Sequence, residues 1–463
     1  MGTGTRTDWQ GTLTPRGWGF VAAAVLALIA AQVMGRRDLL QLTVFLALVP
    51  VAALASNLLF RPSMDVRRAP RPDVVEAGST TEVSLRLKHS GLLAGRMSMA
   101  EHLPPTLGTG PAFLYPGRSV ARDGFSSYRY QLGCPRRGLY RLGPVEARYT
   151  DPFGLAERHS RLGDATRLVV TPASVALAAA VLSGTRGAEG VVATRVQSTP
   201  SDDDVMTREY RHGDPMRRVH WAATARHGEL MVRQEESATS PEATLVLDVR
   251  RQAFPAVGHA PGEGHESPAF EWAVTAAMSV AAHLAERDYS LRLLDTAGGL
   301  ALAHSESAPE PEAPSYSGPD GLASIAEGLA AIAPRSPGPG QPGHRTTDAA
   351  DEPGASTASA GFSELLLDRL EAHRSRGPIV VVLGATDAAA ASMLAPAAAF
   401  ADRALALVVT SRPGASQAAA EVLRDAGWRV SEATPRTAVD AAWLALTVDE
   451  PDAQGTAQVR RTS

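Results

Sequence analysis

The sequence predicts an α/β plus all-β chain: an N-terminal two-helix transmembrane hairpin, an immunoglobulin-like β-sandwich and a doubly wound α/β domain. Three observations carry that expectation. Two runs near the start, Gly17 to Gly35 and Leu39 to Phe60, contain no charged side chain. From Met64 to about Val170, polar and apolar residues alternate with a period of two. Beyond about residue 243, apolar strand-like runs alternate with alanine-rich helical ones. A chain of 463 residues also needs more than one core, since a single core seldom serves more than about 250 to 300 residues.

Each uncharged run is long enough, at about 1.5 Å per residue, to cross roughly 30 Å of hydrocarbon. The short "RRD" turn joins them into a hairpin covering residues 1–62. A second span follows the first at once and no small-residue cleavage site intervenes, which argues against a signal peptide. Arg6 and Arg16 precede the hairpin, Arg61, Arg67, Arg68 and Arg71 follow it, and Arg36 and Arg37 lie in the turn. This distribution places both ends in the cytoplasm, giving a two-helix, multi-pass cell-membrane protein whose globular part faces the cell interior.

Residues 63–171 read as the β-sandwich, because runs such as "TEVSLRL", "SYRYQL" and "TRLVV" are separated by Gly and Pro turns. "CPRRGLYRLGP" reads there as a turn entering a strand. Residues 172–243 are assigned to an inter-domain joint and 244–449 to the α/β domain. In the latter "ATLVLDV" is a buried strand, "SLRLLDTA" and "GLALAHS" form a hairpin, and Asp320 caps a helix with Leu322, Ile325, Leu329 and Ile332 on one face. Six strands with intervening helices make a mostly parallel, doubly wound sheet. The Pro-, Gly- and Ser-rich segment 334–361 reads as a disordered insert and 450–463 as a disordered tail.

Composition restricts the chemistry. The 45 basic and 49 acidic side chains give a net charge of −4, so no overall field draws nucleic acid to the chain. The single cysteine, Cys134, excludes an intrachain disulfide and the four-cysteine zinc sites, and no histidine lies close to it in sequence to make it a nucleophile. No Gly-rich phosphate loop occurs, and no Cys/His/Asp order at a familiar catalytic spacing.

One stretch stands out, "REYRHGDPMRRVHWAATARHGELMVRQ", with six arginines, three histidines and Trp221 between Arg208 and Gln234. Asp214 and Pro215 form a helix-start signal and Gly228 a stop, which predicts a helix from Pro215 to His227. Met216, Val219, His220, Ala223 and His227 would share one face, with Arg217, Arg218 and Trp221 opposite. Such a tryptophan held under guanidinium groups suits a joint between domains or an interface anchor. His220 and His227 are too far apart for a helical zinc pair. Glu209, Asp214, Glu229, Glu235 and Glu236 interleave the arginines, which disfavours nucleic acid. Two alternatives stand beside the joint: a hydrolase-like site built from Glu209, Asp214 and His220, and a nucleic-acid surface.

The same stretch resembles the core motif of the bacterial family called domain of unknown function 58. The resemblance falls on Arg208, Glu209, Tyr210, Gly213, Asp214, Arg218, Val219, His220, Trp221, Gly228, Leu230, Val232 and Arg233. It extends to "RGLYRLGP" (Arg137 to Pro144) and "DPFGL" (Asp151 to Leu155). It implies a von Willebrand factor A-like C-terminal domain, no catalytic activity, and partnership with a MoxR-type AAA+ ATPase and a membrane transglutaminase-like protein. In such domains a divalent ion is often held by Asp-x-Ser-x-Ser after the first strand and a later aspartate. Here that site reads "DVRRQ", so Asp248 remains while Arg250 and Gln252 replace the serines, and Asp387 stands for the later aspartate. An arginine there adds charge and removes a hard donor, so no metal or other cofactor is expected, and Asp248 is expected to pair with Arg250 or Arg251.

Overall fold

The computed structural model describes residues 10–59, 63–90, 96–115, 125–151, 153–181, 207–210, 219, 221–233, 241–256, 267–336, 362–373 and 377–447. A short strand, β1 (Gln10–Leu13), precedes the two apolar helices α1 (Pro15–Met34) and α2 (Arg37–Leu59). Thr14 caps α1 by accepting the Gly17 N–H at 3.2 Å, and left-handed Gly35 ends it. The helices pack against each other, and both are long and apolar enough to cross a membrane.

The β module follows with β2 (Ser63–Arg71), β3 (Val74–Glu76), β4 (Thr80–Ser90), β5 (Arg96–Glu101), β6 (Ala112–Tyr115), β7 (Ser126–Gly133), β8 (Gly138–Leu142), β9 (Val145–Thr150), β10 (Ala156–Leu162) and β11 (Thr166–Thr171). Sheets β2-β4-β7 and β1-β10-β9-β5-β6 enclose one core, in which Leu85 and Leu87 face Met97, Met99, Ala147 and Tyr149. A third sheet, β3-β11-β8, closes a second core around Leu132, Leu142, Leu168 and Cys134. The alternation along β9 and β10, buried then exposed, is the period-two pattern of the sequence. Two features depart from expectation. The module borrows β1 from the far side of the helices, in register from Gln10 opposite His159 to Leu13 opposite Ala156, and β3 runs parallel to β11. Burial pushes the Cys134 thiol up, which keeps it protonated and unreactive.

A small unit, β12 (Thr207–Glu209), α3 (Trp221–His227) and β13 (Met231–Arg233), precedes the α/β domain. That domain consists of β14 (Glu242–Leu247), α4 (Pro268–Ala285), β15 (Ser290–Asp295), α5 (Gly318–Ala330), α6 (Glu364–Glu371), β16 (Ile379–Leu383), α7 (Ala388–Leu394), β17 (Ala404–Val409), α8 (Gln417–Asp425), β18 (Arg429–Ala433) and α9 (Val439–Leu444). The sheet is wholly parallel with order β15-β14-β16-β17-β18. Successive strand residues point to opposite sides. Leu245, Leu247, Val380 and Val382 meet α4, α5 and α9, whereas Val246, Val381 and Leu383 meet α6, α7 and α8. The sheet is therefore doubly wound, as expected.

It has five strands rather than six, because the second arm of the expected hairpin makes only one bridge, Leu300 to Leu294, before turning away. Ser317, not Asp320, stands at the N-cap of α5, with Asp320 in its first turn. Pro334 and Arg335, placed by composition in the insert, belong to the fold: Arg335 bonds backbone to backbone with Val249 and Arg251. The rest of that segment, 337–361, and the tail 450–463 lie outside the described residues.

Candidate functional site

The stretch from Arg208 to Arg233 forms a hairpin with a helix in its connection. Arg208 pairs with Val232 and Glu209 with Met231, and the Tyr210 N–H donates to Leu230 O at 2.8 Å. The helix is shorter than the spacing predicts. Val219, inside the helix that the spacing predicts, is a buried bridge residue, and α3 starts at Trp221; the predicted residues from Pro215 to Arg218 lie outside the described residues. Gly228 ends α3 in the left-handed region at φ 77°, where a side chain would be strained. Its N–H donates to Thr224 O, and the Thr224 hydroxyl accepts the Met231 N–H, which folds β13 back. Trp221 is 65% exposed. Gly213, Asp214, Arg218 and His220 lie outside the described residues, and so does the carboxylate–histidine constellation that includes Glu209.

Other described residues bond the β module to the α/β domain. Arg137, in the turn before β8, makes a bidentate pair with Glu271 of α4 at 2.8 and 2.9 Å. Its Nη1 donates to the carbonyls of Leu329 (2.6 Å), Ala330 (3.1 Å) and Ile332 (3.0 Å), which capture the C-terminus of α5, and its guanidinium lies over Phe270. Arg167 donates to Ser307 O at 2.9 Å. The first part of the expected joint does contribute. The Val175 N–H donates to Ser279 Oγ, and the Ala178 and Val181 carbonyls accept from Trp443 and Arg403.

The C-terminal edge of the parallel sheet is where doubly wound domains bind ligands, at the point where strand order reverses. Here β14 lies between β15 and β16, and Asp248 follows β14 directly. Asp248 is fully buried, and the arginine it pairs with is Arg250: Nε reaches Oδ1 at 2.9 Å and Nη2 reaches Oδ2 at 2.8 Å. The Arg250 and Gly384 N–H groups donate to the same carboxylate. Burial alone would lower the Arg250 pKa, but the hydrogen bonds and charge of Asp248, with the charge of Asp387, raise it, so the cation is permanent.

Asp387 caps α7 by accepting the Ala390 N–H at 2.8 Å. Asp295, at the end of β15, pairs with Arg335 at 3.2 Å. A guanidinium thus lies where a divalent ion would need both oxygens of Asp248, and this donor set does not suit such an ion. No cluster of three or more His, Cys, Asp or Glu side chains able to hold a metal occurs among the described residues. Replacing Asp248 with alanine strands the buried Arg250 charge. It is expected to destabilise the α/β domain by about 3–5 kcal/mol, read as a lowered urea midpoint.

Fold and site together define a multi-module protein with two membrane-length helices, a β module and a doubly wound domain whose ligand edge is closed by internal ion pairs. Residues 206–410 match the family described as "Protein of unknown function DUF58". No curated protein matches it significantly. Among solved structures, the CARDB domain of the PF1109 protein in complex with di-metal ions from Pyrococcus furiosus is similar over 24% of this chain and 89% of its own, with 15% identity and a TM-score of 0.17. Cwp6 from Clostridium difficile is similar over 80% of this chain and 52% of its own, with 8% identity and a TM-score of 0.13.

Proposed function

We propose that this chain is a membrane-anchored, non-enzymatic interaction adaptor. It presents an immunoglobulin-like β module and a von Willebrand factor A-like domain to a MoxR-type AAA+ ATPase at the cytoplasmic face, beside a membrane transglutaminase-like protein. The observation that carries this reading is Trp221. A tryptophan 65% exposed on a small helix-and-hairpin unit is the kind of side chain that anchors protein interfaces. The paired arginines at the sheet edge support a role without catalysis, since they engage the carboxylates that acid–base or metal chemistry would use there.

The test is capture of the full chain, in detergent, from native membranes, with the retained ATPase quantified in ADP and in ATP. Trp221→Ala is expected to reduce retention about tenfold or more, in line with a hot spot worth about 2 kcal/mol, without moving the unfolding profile. Wild-type chain that retains no such ATPase in either nucleotide would refute the partnership.

A further inference from the structure

The "DPFGL" segment is a built loop. Buried Asp151 accepts the N–H groups of Phe153 (2.9 Å) and Ala156 (2.6 Å), and the Gly154 N–H donates to Asp151 O at 3.0 Å. Gly154 is left-handed at φ 71°. The loop is fastened to the start of α1: the Thr14 N–H donates to Leu155 O at 2.9 Å, and its hydroxyl donates to Gly154 O at 2.7 Å. Gly17 permits this approach, since a Cβ there would lie 2.2 Å from Leu155 O. Phe153 is consequently held outward, 71% exposed, level with the first turn of a membrane-length helix whose Trp18 is also exposed. A phenyl ring fixed outward on a rigid loop gains nothing from burial unless an apolar phase covers it. Aromatic side chains at the ends of membrane helices belong to the interface between lipid and water.

A groove of about 400 Å³ runs inward from this point. Along α1 it is lined by Arg16, Gly19, Phe20 and Ala23, spaced i, i+3, i+4 and i+7 on one helix face, with Leu46 of α2 and Phe153 as walls. Gly19 leaves an open dent, with nothing within 4 Å of where a Cβ would stand. One end of the groove is an exposed guanidinium and the remainder is hydrocarbon. That is the polarity of a phospholipid, with phosphate at the head and an acyl chain below.

The geometry points to a site for one anionic phospholipid, its phosphate paired with Arg16 and an acyl chain lying along the α1 stripe against Phe153. The site rests on the reading of the two helices as a membrane hairpin. Through the Thr14 bonds, the bound lipid would set the height and tilt of the β module on the bilayer.

The test uses the full chain in phosphatidylcholine vesicles containing a minority of phosphatidylglycerol, with a photoactivatable acyl chain on one lipid or the other. Labelling is expected to concentrate several-fold on residues 16–23 and 151–155 relative to 24–34, and to be stronger from the phosphatidylglycerol probe. Arg16→Gln should remove the headgroup preference, and Phe153→Ser should lower labelling at both segments. Both side chains are exposed, so an unchanged circular dichroism spectrum is expected. Alkaline extraction of the same vesicles separates two failures. A chain released into the supernatant overturns the membrane hairpin and the lipid site with it. A chain retained but labelled evenly along both helices, or labelled alike after Arg16→Gln, overturns the lipid site alone.

Discussion

Arg137→Met is expected to weaken the union of the β module and the α/β domain by on the order of 3 kcal/mol, because this one side chain makes a bidentate ion pair and bonds to three carbonyls across that junction. The substitution removes the bidentate pair with Glu271 and uncovers the carbonyls of Leu329, Ala330 and Ile332 at the end of α5. It keeps most of the apolar stem, so lost packing contributes little. A cleft of about 640 Å³ lies alongside, lined by Arg137, Glu271 and Trp272 among others. Trp272 fluorescence therefore reports opening at this point. The variant should show that signal changing at lower temperature than the wild type, with faster hydrogen exchange at 329–332. Arg137→Lys should rescue little, since an ammonium cannot bridge a carboxylate and three carbonyls in one plane. Exchange at 329–332 equal to the wild type would show that the junction is held by other contacts.

This arginine also shows what the sequence could and could not disclose. "CPRRGLYRLGP" is legible as a turn entering a strand, and β8 does begin at Gly138. Nothing in the local pattern says that Arg137 reaches a carboxylate 134 residues away. Periodicity reports on faces and spans, and it served well for both apolar helices, for the alternating β strands and for the two-sided burial of β14, β16 and β17. It is silent on partners brought together by topology.

The strand β1 illustrates the same limit. Four residues are too few to show a period, and their pairing with β10 depends on the helical hairpin returning the chain to its starting level. Around Trp221, the Asp-Pro start signal predicts a helix through Val219, but Val219 is a buried bridge residue and α3 begins at Trp221. At the sheet edge the residue types narrow the partner of Asp248 to Arg250 or Arg251, and the structure selects Arg250. An aspartate two positions before an arginine at a strand end can bond it directly, and Asp248 and Arg250 do so. Of the arginines that follow the hairpin, Arg67 pairs with Asp65 and Arg68 is buried in the β module, partners that the sequence does not disclose.

Arg68 carries the second large effect. Its guanidinium meets Glu101 at 2.7 Å with both side chains almost wholly shielded from water. Nη1 donates to Asp164 O at 2.8 Å and Thr166 Oγ1 at 3.3 Å. The Gly of the "RLGP" pattern makes the room: a Cβ on Gly143 would lie 2.3 Å from the guanidinium, and its φ of 92° disfavours a side chain in any case. Arg68 Nε and Glu101 Oε2 lack hydrogen-bond partners, so the pair is incompletely satisfied.

Burial pushes the Glu101 carboxyl above its ordinary range, opposed by the charge and hydrogen bonding of Arg68. Arg68→Met removes that opposition, and a carboxylate left alone in this core is expected to cost about 3–5 kcal/mol at neutral pH. The sign of the pH dependence follows from the raised folded pKa. The stability tied to protonated Glu101 is present below the unfolded value of about 4.3 and is lost as pH rises through the folded one. The defect of Arg68→Met should therefore shrink in mild acid and grow toward alkaline pH. Arg68→Met combined with Glu101→Leu should recover most of the loss at every pH, because two apolar side chains of similar volume leave no charge to solvate. Amide exchange along β4 and β5, measured across that pH range in the full chain, reads the effect locally. A single-variant defect independent of pH would mean that Glu101 is not the group left stranded.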